Sequence, residues 1–264
     1  GDRIAPFLET QESADALSFA LKIVVNIVYR LTSAKFPNTF KDKRNKDNIV
    51  AKRGALFMID LKHAVQEKGW TVAHIKTDSI KLPDCTPEMV EFVTEFGAKY
   101  GYTFEHEATY EKLCLVNDAV YIARKGDEWT AVGKQFQHPY VYKTLFTHED
   151  LEAEDFFETK EVKQGSIHLD FNVDELRQVD PYIFVGRTGS FVPVVNGGAL
   201  LWRIKDDKKY AVAGTKGWRW IERDMAVARE KEDKLEIDMS YFDKLAADAE
   251  KAIEYFGPFS RFVS

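Results

Sequence analysis

Two short apolar stretches joined by a polar turn lie between two amphipathic helical patterns, and this arrangement constrains the fold most. Residues 49–68 place apolar side chains on one side at helical spacing and stop before a glycine, which predicts a helix. Residues 70–75 and 79–82 predict two strands, and residues 86–100 predict a helix with proline in its first turn. A strand–turn–strand unit between two helices predicts a ferredoxin-like, split βαβ sheet.

The rest of the chain adds one helix at the start and a β-rich second half. Apolar residues at helical spacing predict helices over residues 14–31 and 241–256. Residues rich in β-formers predict strands over 104–108, 113–124, 129–133, 181–195 and 199–204. Asn196-Gly197-Gly198 predicts a tight turn, and the acidic residues 148–161 predict a linker. The fold class that follows is α+β.

Composition excludes several classes of protein. The 264 residues are 45% hydrophobic and 30% charged, which is typical of a globular protein. No apolar run approaches the ~20 residues that span a bilayer, and the start has no basic segment leading into an apolar one. Cys85 and Cys114 have no motif spacing, which favours buried or partly buried free thiols in a reducing compartment. We therefore expect a cytoplasmic protein with no membrane partner.

The charge distribution leaves the question of nucleic acid open. A net charge of −6 argues mildly against a free-standing nucleic-acid-binding domain, because such domains are usually basic. Six cations nevertheless fall within thirteen residues: Lys41, Lys43, Arg44, Lys46, Lys52 and Arg53. Such a run is either an ordinary solvated surface or a set of phosphate contacts.

The segment His74-Ile75-Lys76-Thr77-Asp78-Ser79-Ile80 carries the most chemical information. It places an acidic residue in a tight turn between two short apolar strands, so the carboxylate of Asp78 projects from a sheet edge. Mg²⁺ prefers oxygen ligands and is commonly held by one or two carboxylates together with substrate phosphates. Most Thr-Asp-Ser triplets are ordinary turns, so a metal site and a plain turn both remain open from these residues alone.

The first predicted helix carries a second polar pattern. Lys22, Asn26 and Tyr29 have i, i+4, i+7 spacing, which places them on one face of the helix. A lysine can pair with phosphate, and a tyrosine can pack on a sugar or base. This face could therefore hold a nucleoside triphosphate, although it would equally be the polar edge of an ordinary amphipathic helix.

The two patterns together, in this order, resemble family B DNA polymerases. In that family a fingers helix carries Lys-x-x-x-Asn-Ser-x-Tyr-Gly, and a palm hairpin with Asp-Thr-Asp-Ser follows. Phage members are especially similar to residues 44–62 (RNKDNIVAKRGALFMIDLK) and 71–81 (TVAHIKTDSIK). Residues 110–124 (YEKLCLVNDAVYIAR) resemble the segment that opens the thumb, and residues 214–220 (GTKGWRW) match loosely.

The resemblance implies a fold and a division of the chain. Residues 1–50 would form the fingers helix segment, residues 51–124 the palm with its ferredoxin-like sheet, and residues 125–264 a mixed α/β, thumb-like region. The reaction would be attack of a primer 3′-oxygen on the α-phosphate of a nucleotide, with two Mg²⁺ ions as cofactor. The partners would be primer–template DNA and a deoxynucleoside triphosphate, in the cytoplasm of a bacterial host.

The resemblance also assigns roles to single residues. Asp78 matches a palm aspartate that binds the catalytic metals, and Lys22 matches the fingers lysine that contacts the triphosphate. Asn26 and Tyr29 match residues that line the nascent base-pair pocket. The residues expected near DNA are Arg30, Arg44, Lys46, Arg53, Thr77, Ser79 and Tyr121, the last beside the primer strand.

The chain departs from the family pattern at its metal site. The other metal-binding aspartate of the family lies upstream in an Asp-x-x-Ser-Leu-Tyr-Pro-Ser-like motif, which has no counterpart here. Lys76 replaces the first aspartate of the hairpin, where it could neutralise Asp78 or be a normal variant. We therefore expect a polymerase fragment that is inactive alone, with the missing motif and the exonuclease on another segment or a separate polypeptide.

Departures also occur in the nucleotide pocket and the thumb. Ile27 and Arg30 stand where the family has serine and glycine, and Arg30 would either clash with the nascent base pair or make a new phosphate contact. The thumb lysines are replaced by residues 117–120 (NDAV), which predicts weaker phosphate binding.

Two alternatives follow from these differences. The chain could be a non-catalytic DNA-binding or assembly module, such as a prophage polymerase remnant. It could also be an unrelated α+β enzyme, although no pair among its six histidines has zinc-ligand spacing.

Overall fold

The computed structural model describes residues 11–170, 182–195, 200–212, 217–221 and 236–264. Helices and small antiparallel sheets are mixed along the chain, so the predicted α+β class is confirmed. The chain divides into two compact units, Gly1–Glu107 and Ala108–Ser264. The predicted segments 1–50, 51–124 and 125–264 name parts of a polymerase and stay a prediction.

From residue 11 onward, the first unit contains three α-helices and one hairpin. The helices are α1 (Gln11–Thr32), α2 (Ile49–Glu67) and α3 (Pro87–Lys99), and a 3-10 segment at Lys43–Asn48 precedes α2. Strands β1 (His74–Ile75) and β2 (Ile80–Lys81) pair in antiparallel fashion. The three predicted helices and both predicted strands are therefore present, with shorter strands than the sequence predicted.

Local signals explain the ends of these helices. The Thr86 side chain accepts a hydrogen bond from the Met89 amide, and Pro87 occupies the first turn of α3. Such a cap satisfies an amide that has no partner within the helix. Gly69 follows α2 with a φ of +81°, a left-handed conformation that favours glycine.

An apolar cluster joins α2, α3 and the hairpin. Its fully or almost fully buried members are Met58, Leu61, Val65 and Val93. Ile75 and Ile80 from the two strands pack against the same cluster, and so does Phe104. Gly97 makes room for that phenylalanine, because a Cβ at Gly97 would lie 2.6 Å from Cδ2 of Phe104. The hairpin is thereby anchored to the helix pair.

The predicted strand over residues 104–108 is wrong, because these residues form no regular structure. Phe104 packs its ring against Phe57 with a centroid separation of 6.1 Å, so this segment is held by its side chain. The sheet of the first unit has two strands in the described residues. The larger ferredoxin-like sheet therefore stays a prediction.

The second unit begins with a three-stranded antiparallel sheet. Its strands are β3 (Lys112–Asn117), β4 (Val120–Lys125) and β5 (Glu128–Val132), in that order across the sheet. The prediction of one strand over residues 113–124 is wrong, since a turn divides it. The Asn117 side chain accepts a hydrogen bond from the Ala119 amide at 2.9 Å, which stabilises that turn.

Short helical segments lead from this sheet into a β-rich region. They are α4 (Lys134–Gln137), α5 (Pro139–Tyr142), a π-helical turn at Lys143–Thr147 and a 3-10 turn at Ala153–Phe156. The strands that follow are β6 (Glu158–Glu161), β7 (Ser166–Asp170), β8 (Tyr182–Gly186), β9 (Thr188–Pro193), β10 (Leu200–Lys205), β11 (Lys208–Ala211) and β12 (Trp218–Trp220). The predicted linker over 148–161 therefore contains regular structure at its end.

These strands form two further antiparallel sheets, with orders β11-β10-β7-β8 and β12-β9-β6. Helices α6 (Met239–Glu254) and α7 (Phe259–Val263) complete the described residues. Ala249 and Ile253 of α6 pack against Cys114 of β3 and Ile122 of β4. The predicted turn at Asn196-Gly197-Gly198, residues 214–216 of the loosely matching segment, and residues 222–235 lie outside the described residues.

The cluster of the first unit generates a stability prediction. Leu61→Ala should lower the free energy of unfolding by ~2–5 kcal/mol, because Leu61 is fully buried and the change leaves a cavity. Leu56→Ala on the same helix should change it by less than about 0.5 kcal/mol, because Leu56 is 59% exposed. Urea unfolding followed by tryptophan fluorescence measures both. Equal losses would contradict this packing.

Candidate functional site

Asp78 lies at the tip of the β1–β2 hairpin. Ile75 pairs with Ile80, and the Lys76 amide donates to the Ser79 carbonyl at 2.9 Å, so Thr77 and Asp78 form a two-residue loop. The Thr77 hydroxyl donates to Oδ1 of Asp78 at 3.3 Å, and the Asp78 side chain is exposed. The carboxylate is therefore held on a short, anchored loop and is open to solvent.

Lys76 does not neutralise Asp78 through a direct contact. Both side chains are exposed, and no ion pair within 4.0 Å joins them in the described part of the chain. Lys76 is the last residue before the loop and Asp78 lies within it, and residues this close in a tight loop need not face each other. The oxygens of Asp78 therefore remain accessible to a cation.

Helix α1 presents the second group of predicted residues. Lys22 and Asn26 are exposed, and Tyr29 is half-buried one turn further along. The Tyr29 hydroxyl donates to Oδ1 of Asn48, the residue just before α2, at 2.9 Å. Arg30 is exposed beside it. Lys22, Asn26 and Tyr29 therefore lie on one helix, and the tyrosine is joined to the residue before α2. Their role in nucleotide binding stays a prediction.

A polar network fixes the connection between α1 and α2. The Thr32 hydroxyl donates to the Tyr29 carbonyl at 2.6 Å and accepts from Nδ2 of Asn45 at 2.7 Å. Asn45 is only 6% exposed, and the Asp42 amide donates to the Thr32 carbonyl at 3.0 Å. Sequence reasoning missed Thr32, Asn45 and Asn48, because their positioning role arises from contacts across the connection.

The predicted DNA-contacting cations of the first unit differ in their surroundings. Arg44 forms a bidentate pair with Asp42, with Nη2 and Oδ2 2.8 Å apart. The hydrogen bond from the Arg44 side chain lowers the pKa of Asp42. Lys46 and Arg53 are exposed and have no ion pair within the described residues, so they are open to a polyanion.

Tyr121 lies on β4 in the second unit, whereas all the other predicted site residues lie in the first. It pairs with Leu115 on one side and Val132 on the other and is half-buried. Asp118 and Ala119 form the turn between β3 and β4. Residues 117–120, which stand where the family has thumb lysines, therefore lie at the tip of this hairpin.

The donors for a metal ion are sparse. No group of three or more His, Cys, Asp or Glu side chains comes together among the described residues in a way that could hold a metal. Asp78 alone offers a carboxylate at the predicted site, which fits one ligand of a Mg²⁺ ion that is otherwise held by phosphates and other chains. Cys85 and Cys114 are both free thiols, and Cys114 is buried as predicted. Cys85 is exposed, so the prediction that both thiols are at least partly buried is wrong for this residue.

Apolar side chains are exposed around α1. Phe19 is 66% exposed and Val25 is 64% exposed, and Leu21, Ile23, Val24 and Ile27 are also largely exposed. A helix that is apolar on most sides is normally buried in a complete protein. No helix of the described residues is long and apolar enough to cross a membrane.

The second unit contains a half-buried cluster of ionisable side chains that sequence reasoning missed. Oε1 of Glu158 lies 2.9 Å from Nε2 of His138 and accepts from the Tyr241 hydroxyl at 3.0 Å. Nζ of Lys160 donates to Oε2 of Glu158 at 3.4 Å and lies 4.4 Å from the ring centre of Trp218. The cluster joins β6 to the start of α5, to β12 and to α6.

Burial and pairing act against each other on these groups. Burial alone would raise the pKa of Glu158, but the His138 hydrogen bond and the charge of Lys160 outweigh it, and the pKa falls. Burial lowers the pKa of Lys160 and raises that of Tyr241. The contacts of Glu158 with His138, Lys160 and Tyr241 join β6 to the start of α5 and to α6.

Comparisons with known proteins do not assign the chain to a family. No protein-family model matches the chain, and no curated protein is significantly similar to it. The family B resemblance therefore rests on the residues quoted above.

The cluster generates a pH prediction. Because Glu158 has a lowered folded-state pKa, its stabilisation is present above the unfolded value of ~4.3 and is lost as pH falls through the folded value. Glu158→Gln should therefore lower the free energy of unfolding by ~1–3 kcal/mol at pH 7, and the deficit should shrink below pH ~4. Urea unfolding between pH 3 and pH 7 measures it.

Glu161→Gln is the matched control, because Glu161 lies on the same strand and is exposed. It should leave the free energy of unfolding within about 0.5 kcal/mol of the unaltered protein at each pH. A deficit for Glu158→Gln that is constant with pH would show that its carboxylate charge does not stabilise the unit.

Proposed function

We propose that this chain is a fingers, palm and thumb portion of a family B DNA polymerase of the phage type and supplies one part of a nucleotidyl-transfer site. The observation that carries the proposal is that the helix motif and the hairpin motif lie in the same unit and expose their polar side chains. Lys22 and Asn26 are exposed on a single helix with Tyr29, and Asp78 is exposed on an anchored hairpin tip.

The reaction of the complete enzyme would join a primer 3′-oxygen to the α-phosphorus of a deoxynucleoside triphosphate. The bond from that phosphorus to the bridging oxygen of the leaving group breaks, and pyrophosphate leaves. Mg²⁺ ions, when bound, would supply Lewis-acid stabilisation of the attacking and leaving oxygens. Asp78 would provide one carboxylate ligand, with Thr77 and Ser79 flanking it near the DNA.

Residues of α1 would bind and orient the nucleotide. The ammonium of Lys22 would pair with the triphosphate. The other two residues of this face, Asn26 and Tyr29, carry no positive charge. Asn26 and Tyr29 would line the pocket of the nascent base pair. The hydrogen bond from Tyr29 to Asn48 would hold the tyrosine ring in place, because it limits the ring to one direction from the helix.

A local excess of positive charge supports contact with DNA. Residues 22–62 carry ten Lys and Arg against three Asp and no Glu, a net charge of +7, although the whole chain carries −6. Arg30, Lys46 and Arg53 are exposed on this segment. Phosphate contacts from these side chains would give binding that weakens as salt rises. Arg44 would first have to leave Asp42, and Tyr121 of the second unit would lie beside the primer.

The site is incomplete in this chain, and the proposal includes a partner. Two-metal chemistry needs carboxylates from two places, and Asp78 represents one of them. The exposed apolar side chains of α1 support a covering segment, on the same or a separate polypeptide, that would carry the missing aspartate and the exonuclease. We therefore expect no nucleotide incorporation by this chain alone on a primed template.

A second candidate function is a DNA-binding module without chemistry. Ile27 is 52% exposed and Arg30 is exposed beside the proposed pocket, where the family has small residues. Arg30 would either fill the space next to the base pair or reach a phosphate. Restoration of synthesis by a polypeptide that carries the missing motif would separate a working half-enzyme from such a remnant.

DNA binding tests the proposal directly. Fluorescence anisotropy of a labelled primer–template should show affinity that falls with salt and rises when Mg²⁺ and the next templated nucleotide are added together. Asp78→Asn should remove that rise while leaving the salt dependence unchanged, because it removes a metal ligand and no phosphate contact. Arg53→Ala should reduce the salt slope by about one, because it removes one phosphate contact.

Asp60→Asn is the matched control, since it removes one exposed carboxylate of the same unit away from the hairpin. It should leave the effect of nucleotide and Mg²⁺ intact. Absence of binding at low salt, or an identical nucleotide effect in Asp78→Asn and the unaltered protein, would contradict the proposed half-site.

A further inference from the structure

A groove runs along the outer side of β3 in the second unit. Its volume is about 570 Å³ and it opens to solvent. The walls are β3 on one side and the end of α6 with α7 on the other. The lining residues include Lys112, Leu113 and Leu115 of β3 and, on the other side, Phe256, Arg261 and Phe262.

The groove follows the edge of the strand. Residues 112–115 are consecutive, and all four line the groove. Successive side chains of a strand point to opposite faces of a sheet, so a cavity on one face would meet only every second residue. A cavity that meets all four therefore lies beside the backbone. In the described residues β3 pairs with β4 alone and forms an edge of its sheet.

Most side chains that line the walls are apolar, and two cationic residues lie at one end of the groove. Phe256 is 58% exposed, and Leu113, Leu115 and Phe262 are half-buried. Nζ of Lys112 donates to the carbonyl oxygen of Arg261 at 3.3 Å, which brings the two cationic residues together across the groove. Neither side chain has a carboxylate within 4.0 Å among the described residues.

We propose that this groove binds an extended, acidic peptide segment of a partner protein, which adds a strand to the free edge of β3. Strand addition of this kind takes affinity from backbone hydrogen bonds and specificity from pockets for alternate side chains. The apolar wall fits alternate apolar side chains of the segment. The unmatched charges of Lys112 and Arg261 fit a carboxylate at the end of the segment that lies beside the first residue of β3.

The length of the segment follows from the strand. β3 has six residues, and four of them line the groove. A segment of about five or six residues can therefore form the added strand, because paired strands match residue for residue. This surface is independent of the proposed nucleotidyl-transfer site, and its failure would leave that proposal standing.

Fluorescence anisotropy of a synthetic peptide tests the inference on the full chain. The probe is the fluorescein-labelled, amidated peptide Asp-Val-Thr-Val-Thr-Val, and a second probe replaces its aspartate with lysine. Two further probes carry N-methyl groups on alternate amides, one set for each edge of the extended peptide. We expect the acidic probe to bind, the lysine probe to bind at least about fivefold more weakly, and one N-methylated probe to lose binding.

Variants locate the site. Phe256→Ala should weaken binding of the acidic probe at least about fivefold, because it removes the exposed apolar wall. Tyr255→Ala is the matched control, since Tyr255 is 85% exposed, contacts the same ring of Phe256 and does not line the groove. Arg261→Glu should weaken the acidic probe and strengthen the lysine probe, whereas Lys251→Glu on α6 should change neither. Circular dichroism and the melting temperature check that each variant is folded.

Several results would overturn the inference. They are no binding of the acidic probe, equal binding of both N-methylated probes and the unmodified one, or equal losses for Phe256→Ala and Tyr255→Ala. Displacement of the probe by an unlabelled oligothymidine would assign the groove to nucleic acid and would also overturn the proposal of a peptide ligand.

Discussion

The packing of α2 against α3 is the interaction on which the first unit depends. Leu61 and Val65 from one helix meet Val93 from the other, and Ile75 and Ile80 of the hairpin pack on the same cluster. The hairpin itself has only two residues in each strand, which is too short for independent stability. Its direction is therefore set by burial of its apolar side chains and not by its own hydrogen bonds. Asp78 owes its place at an exposed tip to that apolar cluster, so the chemistry proposed for the carboxylate depends on the core beneath it.

The two units differ in the features that they contain. The first contains the helix face for which we propose nucleotide binding, a cationic segment and the exposed carboxylate of Asp78, and its helix α1 leaves large apolar side chains in solvent. The second is held by apolar clusters and by the half-buried cluster around Glu158, where His138, Lys160 and Tyr241 all contact one carboxylate. Two surfaces support the proposals of partner segments: the exposed apolar side chains of α1, and the edge of β3 that pairs with no strand within the described ranges. The proposed polymerase function requires the first of these, because a single carboxylate cannot hold two metal ions.

Hydrophobic periodicity predicted the helices and strands that depend on local sequence. It did not predict the features that depend on contacts between residues distant in the sequence. The helices α1, α2 and α3 and the hairpin with Asp78 were all predictable, since apolar spacing and the flanking proline and glycine specify them. A run of β-formers obscured the turn at Asn117, although asparagine followed by aspartate is itself a turn signal. The network of Asn45 with Thr32 joins residues 13 positions apart, and the pair of Tyr241 with Glu158 joins residues 83 positions apart. No pattern in the sequence marks such contacts, because folding alone brings these side chains together.

The central claim is that Asp78 binds a divalent cation together with a nucleotide bound on α1. Mn²⁺ can replace Mg²⁺ as a paramagnetic probe, and the loss of backbone amide NMR signals reports which residues lie near it. In the presence of a deoxynucleoside triphosphate, the account predicts that signals of Thr77, Asp78 and Ser79 weaken first, that signals of Lys22 and Asn26 weaken next, and that Asp78→Asn prevents both. Signal loss centred elsewhere in the chain, or loss at the hairpin that persists in Asp78→Asn, would contradict the account.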